Sequence, residues 1–194
     1  MVALLCAGVL GAAEPRRVLV VGDSLSAAFN LAPEQGWVHL LDAKLQQSGW
    51  RVSNASISGE TTAGGAARID AVLAEQAPNV VIVELGANDG LRGLPVELAK
   101  QNLGRIITAA KARKARVLLV GMEIPPNYGP DYTAQFRQMY VDLAQQHQIA
   151  LLPFLLAPIS DDRRNFMDDN LHPTAEAQPA LRDHVLAALT PLLR

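Results

Sequence analysis

Val18-Leu19-Val20-Val21-Gly22-Asp23-Ser24-Leu25-Ser26 is the stretch that constrains the chain most. Its four β-favouring apolar residues leave no polar face, as in a strand covered on both sides of a parallel sheet. Gly22 can adopt a backbone angle closed to other residues, so a sharp turn is expected there. Ser24 then stands at the carboxyl end of a central strand, where open α/β sheets bind ligands. On this stretch alone, Ser24 serves equally well as a reactive hydroxyl or as the cap of a following helix.

The rest of the chain repeats the alternation of strand and helix. Strands are expected at 17–21, 51–55, 79–85, 116–122 and 149–152. Helical spacing of apolar residues predicts helices over 36–48, 62–76, a segment opened by Pro95, 132–148 and 179–193. Val96, Ala99, Leu103, Ile106 and Ala110 form the apolar stripe of the third. Such alternation gives a parallel sheet with helices on both faces. At 194 residues and 49% hydrophobic, the chain can bury a sizeable core. No repeat, linker or low-complexity tract divides it, so 14–194 reads as one domain.

A net charge of −2 draws the chain neither to nucleic acid nor to an anionic membrane. The basic cluster from Lys111 to Arg116 falls where a helix should end, a place that favours cations. Val2 to Ala13 is apolar and ends in Gly11-Ala12-Ala13, too short for a bilayer, which needs ~20 apolar residues. It resembles a secretory signal peptide over 1–13, although no Lys or Arg follows Met1. The other reading is an extension of the first strand. Cys6, the sole cysteine, would leave with the signal, and the mature chain would have no disulfide or thiol nucleophile.

Three polar segments fall on one sheet edge in this reading, Gly22-Asp23-Ser24, Ser58-Gly59-Glu60 and Gly86-Ala87-Asn88-Asp89, and a fourth, Asp168-Asp169-Asn170-Leu171-His172-Pro173, precedes the last helix. They hold the parts acyl transfer needs. A serine hydroxyl is a poor nucleophile until a base takes its proton, and histidine suits that task. A carboxylate on the other ring nitrogen fixes the tautomer. Asp169 and His172 are close enough for one turn to present both, and Pro173 keeps His172 out of a helix. Donors for a developing oxyanion are the N–H of Ser24, the N–H of Gly59 and the amide of Asn88. Each has a duller reading: Asn88 can bond its own turn, and Gly59 can merely close one. Asp89 reads as a capping or bracing group, and Asp23 is expected to point away from the nucleophile. His39, His147 and His184 fall on helices and read as surface or boundary residues.

Together these blocks, in this order, resemble the GDSL, or SGNH, hydrolase superfamily. Gly22-Asp23-Ser24-Leu25-Ser26 is similar to its nucleophile block, Gly59 to its oxyanion glycine, Gly86-Ala87-Asn88-Asp89 to G-x-N-D, and Asp169-Asn170-Leu171-His172 to D-x-x-H. Asn54 to Thr61, Asn88 to Gly93 and Pro125-Pro126-Asn127-Tyr128-Gly129 look closer still to its bacterial thioesterase I / lysophospholipase L1 / arylesterase group. Glu60 stands where many members have Asp. The resemblance implies a flavodoxin-like three-layer α/β/α sandwich on a central five-stranded parallel sheet. It implies Ser24 as nucleophile, Asp169 and His172 completing the triad, and Ser24, Gly59 and Asn88 forming the oxyanion hole. It further implies a periplasmic enzyme, without metal or cofactor, hydrolysing small-molecule carboxylic esters and acyl thioesters. A monomer without stable membrane insertion is expected.

Two rival functions share parts of the pattern: a carbohydrate acetyl esterase, and a non-catalytic flavodoxin-like binding module. Gly90-Leu91-Arg92-Gly93-Leu94 pairs apolar side chains with glycines. It is either a lid that lays Leu91 and Leu94 over an acyl chain or a fixed turn.

Overall fold

The computed structural model describes residues 16–194; the expected signal peptide and Cys6 lie outside them. Five strands, β1 (Arg16–Gly22), β2 (Trp50–Asn54), β3 (Val80–Glu84), β4 (Arg116–Val120) and β5 (Ala150–Leu152), pair in parallel in the order β2-β1-β3-β4-β5. This is the flavodoxin-like order, with its switch point between β1 and β3. The apolar runs are central for the reason their composition gives: Val18 to Val21 and Val80 to Val83 are fully buried.

The helices are α1 (Trp37–Leu45), α2 (Thr62–Gln76), α3 (Ala87–Leu91), α4 (Val96–Ala112), α5 (Pro130–His147) and α6 (Gln178–Leu189). α1 packs on α6, while α2 packs on α4 and α4 on α5. Each amphipathic helix buries one stripe, as with Ala99, Leu103, Ile106 and Ala110 of α4.

α2 has the predicted bounds. The Thr61 hydroxyl accepts from Gly64 N–H at its start, and Pro78 follows its end. Other ends differ. The first predicted helix tightens into a 3-10 turn over Gln46–Ser48, and the last does so over Thr190–Leu193.

Two expectations need correction. Gly22 has no positive φ. It is glycine for space: a Cβ there would stand 2.8 Å from both Glu84 Oε2 and Ser26 Oγ. The segment after Asn88 is also not all loop, since Ala87–Leu91 forms the one-turn helix α3. Its glycines hid it from sequence patterning. Gly90 sits in the turn because a Cβ would meet Ile124 Cγ2 at 2.5 Å and Phe136 Cε2 at 2.9 Å.

Candidate active site

The carboxyl ends of β1, β2 and β3 bring the first three polar segments together beside the switch point. The fourth arrives on a closed loop before α6. Phe166 and Pro173 form an antiparallel bridge across its neck, and Met167 N–H donates to His172 O at 2.8 Å. Buried Gln178 fastens that loop to the start of α1. Its Oε1 accepts the Trp37 N–H at 2.9 Å, while its Nε2 donates to the carbonyls of Pro173 and Thr174. Gln178 and its role were not anticipated from sequence, where a glutamine at a helix start carries no signal.

Within the loop, Asp169 Oδ1 accepts the N–H groups of Leu171 and His172 at 2.9 and 3.0 Å. Its Oδ2 lies 2.7 Å from His172 Nδ1. Partial desolvation raises the Asp169 carboxyl, but those backbone donors and the imidazole outweigh it and hold the group down at about 2. An ionised Oδ2 can only accept, so the neutral imidazole carries its proton on Nδ1 and presents the Nε2 lone pair. Nε2 stands 2.8 Å from Ser24 Oγ. The ring of Phe29 lies on the imidazole, with centroids 4.3 Å apart. Phe29 was also missed: it sits between Ala28 and Asn30, which both take positive φ (57° and 56°), and that backbone aims its ring at a residue remote in sequence.

The expected donors Gly59 and Asn88 are each held by the surrounding loops. Gly59 has φ +79°, a conformation that favours glycine, and its carbonyl accepts from Arg92 Nη2 at 3.0 Å. Asn88 does not bond its own turn. Its Nδ2 donates to Asp23 Oδ2 and to the Glu60 carbonyl, each at 3.1 Å. Gly86, before α3, takes φ +122°, and a Cβ there would lie 2.3 Å from the Tyr140 hydroxyl.

Several acidic groups surround these loops. Asp23 is fully buried, and its carboxylate accepts from the Leu25 N–H and the Asn88 amide. Burial raises it to about 6 against the lowering pull of those donors and of His172, with Asp89 adding to the rise. Glu84, at the end of β3, is raised well above the ordinary carboxylate range by burial and by Asp23. Its Oε2 accepts the Ser26 hydroxyl at 2.7 Å. Asp89 braces α2, as expected of a capping group. Glu60, the departure from the family's usual Asp, pairs with Arg68, its Oε1 accepting from Nε at 2.6 Å. Asp168 is exposed. His39 is exposed as well; His147 and His184 are half-buried on helices, with His184 Nε2 3.0 Å from the Phe154 carbonyl.

A cavity of about 540 Å³ opens beside Ser24 and His172. Met122, Ile124, Pro126, Phe154, Leu156 and Phe166 give it an apolar wall. Leu91 lines it; Leu94 does not, and stands 38% exposed. Tyr128 and Tyr132 hydroxyls donate to the Leu91 and Leu94 carbonyls, both at 2.6 Å, and Leu94 N–H donates to Asp89 O. These bonds brace the turn at both leucines. Among the described residues, no three His, Cys, Asp or Glu side chains are grouped to hold a metal ion.

A serine and histidine on an α/β sheet edge, with an apolar cavity beside them, define a hydrolase-type site. Residues 20–179 match the family model for GDSL-like lipases and acylhydrolases. The chain is 47% identical to esterase TesA of Pseudomonas aeruginosa, covering 93% of this chain and 91% of that one. It is 40% identical to thioesterase 1/protease 1/lysophospholipase L1 of Escherichia coli K12, covering 94% and 87%. Among solved structures, the psychrotrophic esterase EstA from Pseudoalteromonas sp., inhibited by monoethylphosphonate, superposes with a TM-score of 0.88 at 39% identity, covering 92% of this chain and 98% of that one. The chain therefore belongs to the GDSL-like lipase/acylhydrolase family.

Proposed function

We propose that this SGNH esterase hydrolyses carboxylic esters and acyl thioesters, lysophospholipids included, through an acyl-enzyme on Ser24. The continuous row Asp169–His172–Ser24, at 2.7 and 2.8 Å, carries the reading. His172 Nε2 takes the hydroxyl proton as Ser24 Oγ attacks the carbonyl carbon. The carbonyl electron pair moves to oxygen, and the N–H groups of Ser24 and Gly59 and the Asn88 amide stabilise that oxyanion. Asp169 steadies the imidazolium. The intermediate collapses, and the alcohol or thiol leaves with the proton held on Nε2. Water, deprotonated by His172, attacks the acyl-enzyme and releases the acid, returning the proton to Ser24.

The apolar wall supports an acyl chain over an acetylated sugar as the bound group. The names of the relatives, an esterase and a thioesterase/lysophospholipase, support the same breadth. The apolar stretch 1–13 supports export to the periplasm, and we propose a monomer. The test is stoichiometric labelling by a fluorophosphonate, lost in Ser24→Ala, with p-nitrophenyl esters, acyl-CoA and lysophospholipid as substrates. Turnover of acetylated sugars without acyl thioesters would select the carbohydrate esterase; absent labelling with no turnover would leave a binding module.

A further inference from the structure

Beneath the nucleophile lies a carboxylate to which the mechanism gives no task. Asp23 Oδ1 accepts the Leu25 N–H at 3.0 Å, which closes an Asx turn across Ser24. Asp23 Oδ2 accepts one hydrogen of the Asn88 amide at 3.1 Å, and the Glu60 carbonyl takes the other. One buried side chain thereby ties the turn that carries the Ser24 N–H to a side chain 65 residues away. A buried carboxylate is costly unless its hydrogen bonds are made, and here each oxygen has one.

We propose that Asp23 is a positioning residue for the oxyanion hole. It holds two of the three donors, the Ser24 N–H and the Asn88 amide, in one fixed relation. The proposal rests on the roles given above to Ser24 and Asn88.

The chemistry explains why no near-isostere serves. Both partners of the Asp23 side chain are donors, so two acceptor atoms are needed. Asparagine has only one. Placed either way round, its NH₂ would face the Leu25 N–H or the Asn88 NH₂, donor against donor. The Asn88 amide has both hydrogens engaged, so an arriving oxyanion must share or draw off one of them. The bond to Asp23 fixes where that amide waits, and the neutral Glu60 carbonyl is the weaker of its two acceptors.

The experiment is a double-mutant cycle with Asp23→Asn and Asn88→Ala on a p-nitrophenyl ester, with thermal unfolding of every variant. Asp23→Asn should lower kcat roughly tenfold to a hundredfold, less than outright loss of a donor at ~10²–10³. Its KM should stay within about threefold. Its affinity for a trifluoromethyl ketone, which forms a hemiketal oxyanion on Ser24, should fall in step with kcat/KM. The double variant should lose clearly less than the product of the two single losses, because part of what Asp23 does is done through Asn88. If Asp23→Asn does not fold, Asp23→Ala, which sets no donor against Asn88, should show the same losses. Parental kcat in a folded Asp23 variant overturns the proposal, as do losses that multiply in the double variant. Parental kcat in Asn88→Ala overturns instead the oxyanion role of Asn88, and the proposal with it.

Discussion

The carboxylate of Asp89 accepts both the backbone N–H and the hydroxyl of Thr62, at 2.8 and 2.6 Å. Asn102 Nδ2 donates to the same hydroxyl at 3.2 Å. The residue after Asn88 is thus fastened to the first residue of α2, where an anion is also favoured by the helix dipole. Replacing Asp89 by Ala leaves a buried N–H and hydroxyl short of an acceptor, each worth ~1–3 kcal/mol. Urea unfolding should show a loss in that range or somewhat above it. kcat should fall too, as Asn88 loosens, while KM changes less.

Phe29→Ala should slow turnover without abolishing it. The Phe29 ring holds one face of the His172 imidazole, and aromatic pairs contribute ~0.5–1.5 kcal/mol beyond area burial. At ~1.36 kcal/mol per tenfold, kcat should drop by about twofold to twelvefold. Phe29→Leu, which keeps bulk, should recover part of it. Esterase kinetics on both variants checks this.

Stability should vary with pH in two opposite ways. Asp23 lies at about 6 when folded against an ordinary 3.8, so the folded state holds the extra proton between those values. Stability then falls as pH rises through that window, by about 3 kcal/mol for a shift of ~2 units. Glu84, raised further, acts in the same sense. Asp169, held at about 2, contributes stability that is present above 3.8 and lost as pH falls through 2. Urea titrations from pH 4 to 7 should show declining stability, and Asp23→Asn should flatten the decline. An equally steep decline in Asp23→Asn would remove Asp23 as its source.

Chain-length preference should separate two leucines. Leu91 lines the cavity and Leu94 does not. Leu91→Ala should shift the preferred acyl length on a p-nitrophenyl ester series, and Leu94→Ala should leave it in place. A shift with Leu94→Ala would mean that the turn moves over the acyl chain.

The central strands were legible because burial on both faces leaves an uninterrupted apolar run, as in 18–21 and 80–83. α2 was legible to the residue because its ends carry local chemistry, Thr61 and Pro78. Three of the polar blocks were legible because parallel strands deliver their loops to one edge, and the structure brings Ser24 into one row with Asp169 and His172 of the fourth. What was not legible depends on neighbours distant in sequence. α3 forms around Gly90 because Ile124 and Phe136 leave no room for a side chain. Gly22 was expected to supply a turn, yet the constraint is the space taken by Glu84 and Ser26. Gln178 and Phe29 act through α1 and His172, which no local pattern reveals.

The loop between Phe166 and Pro173 has a consequence for synthesis. All five strands are complete by Leu152, whereas the imidazole comes twenty residues later and is anchored from the start of α6. A chain emerging from the ribosome therefore has its whole sheet before it has a base. A stop codon shortly after 152 would remove His172 together with the whole of α6 and its buried Leu181, Val185 and Leu189.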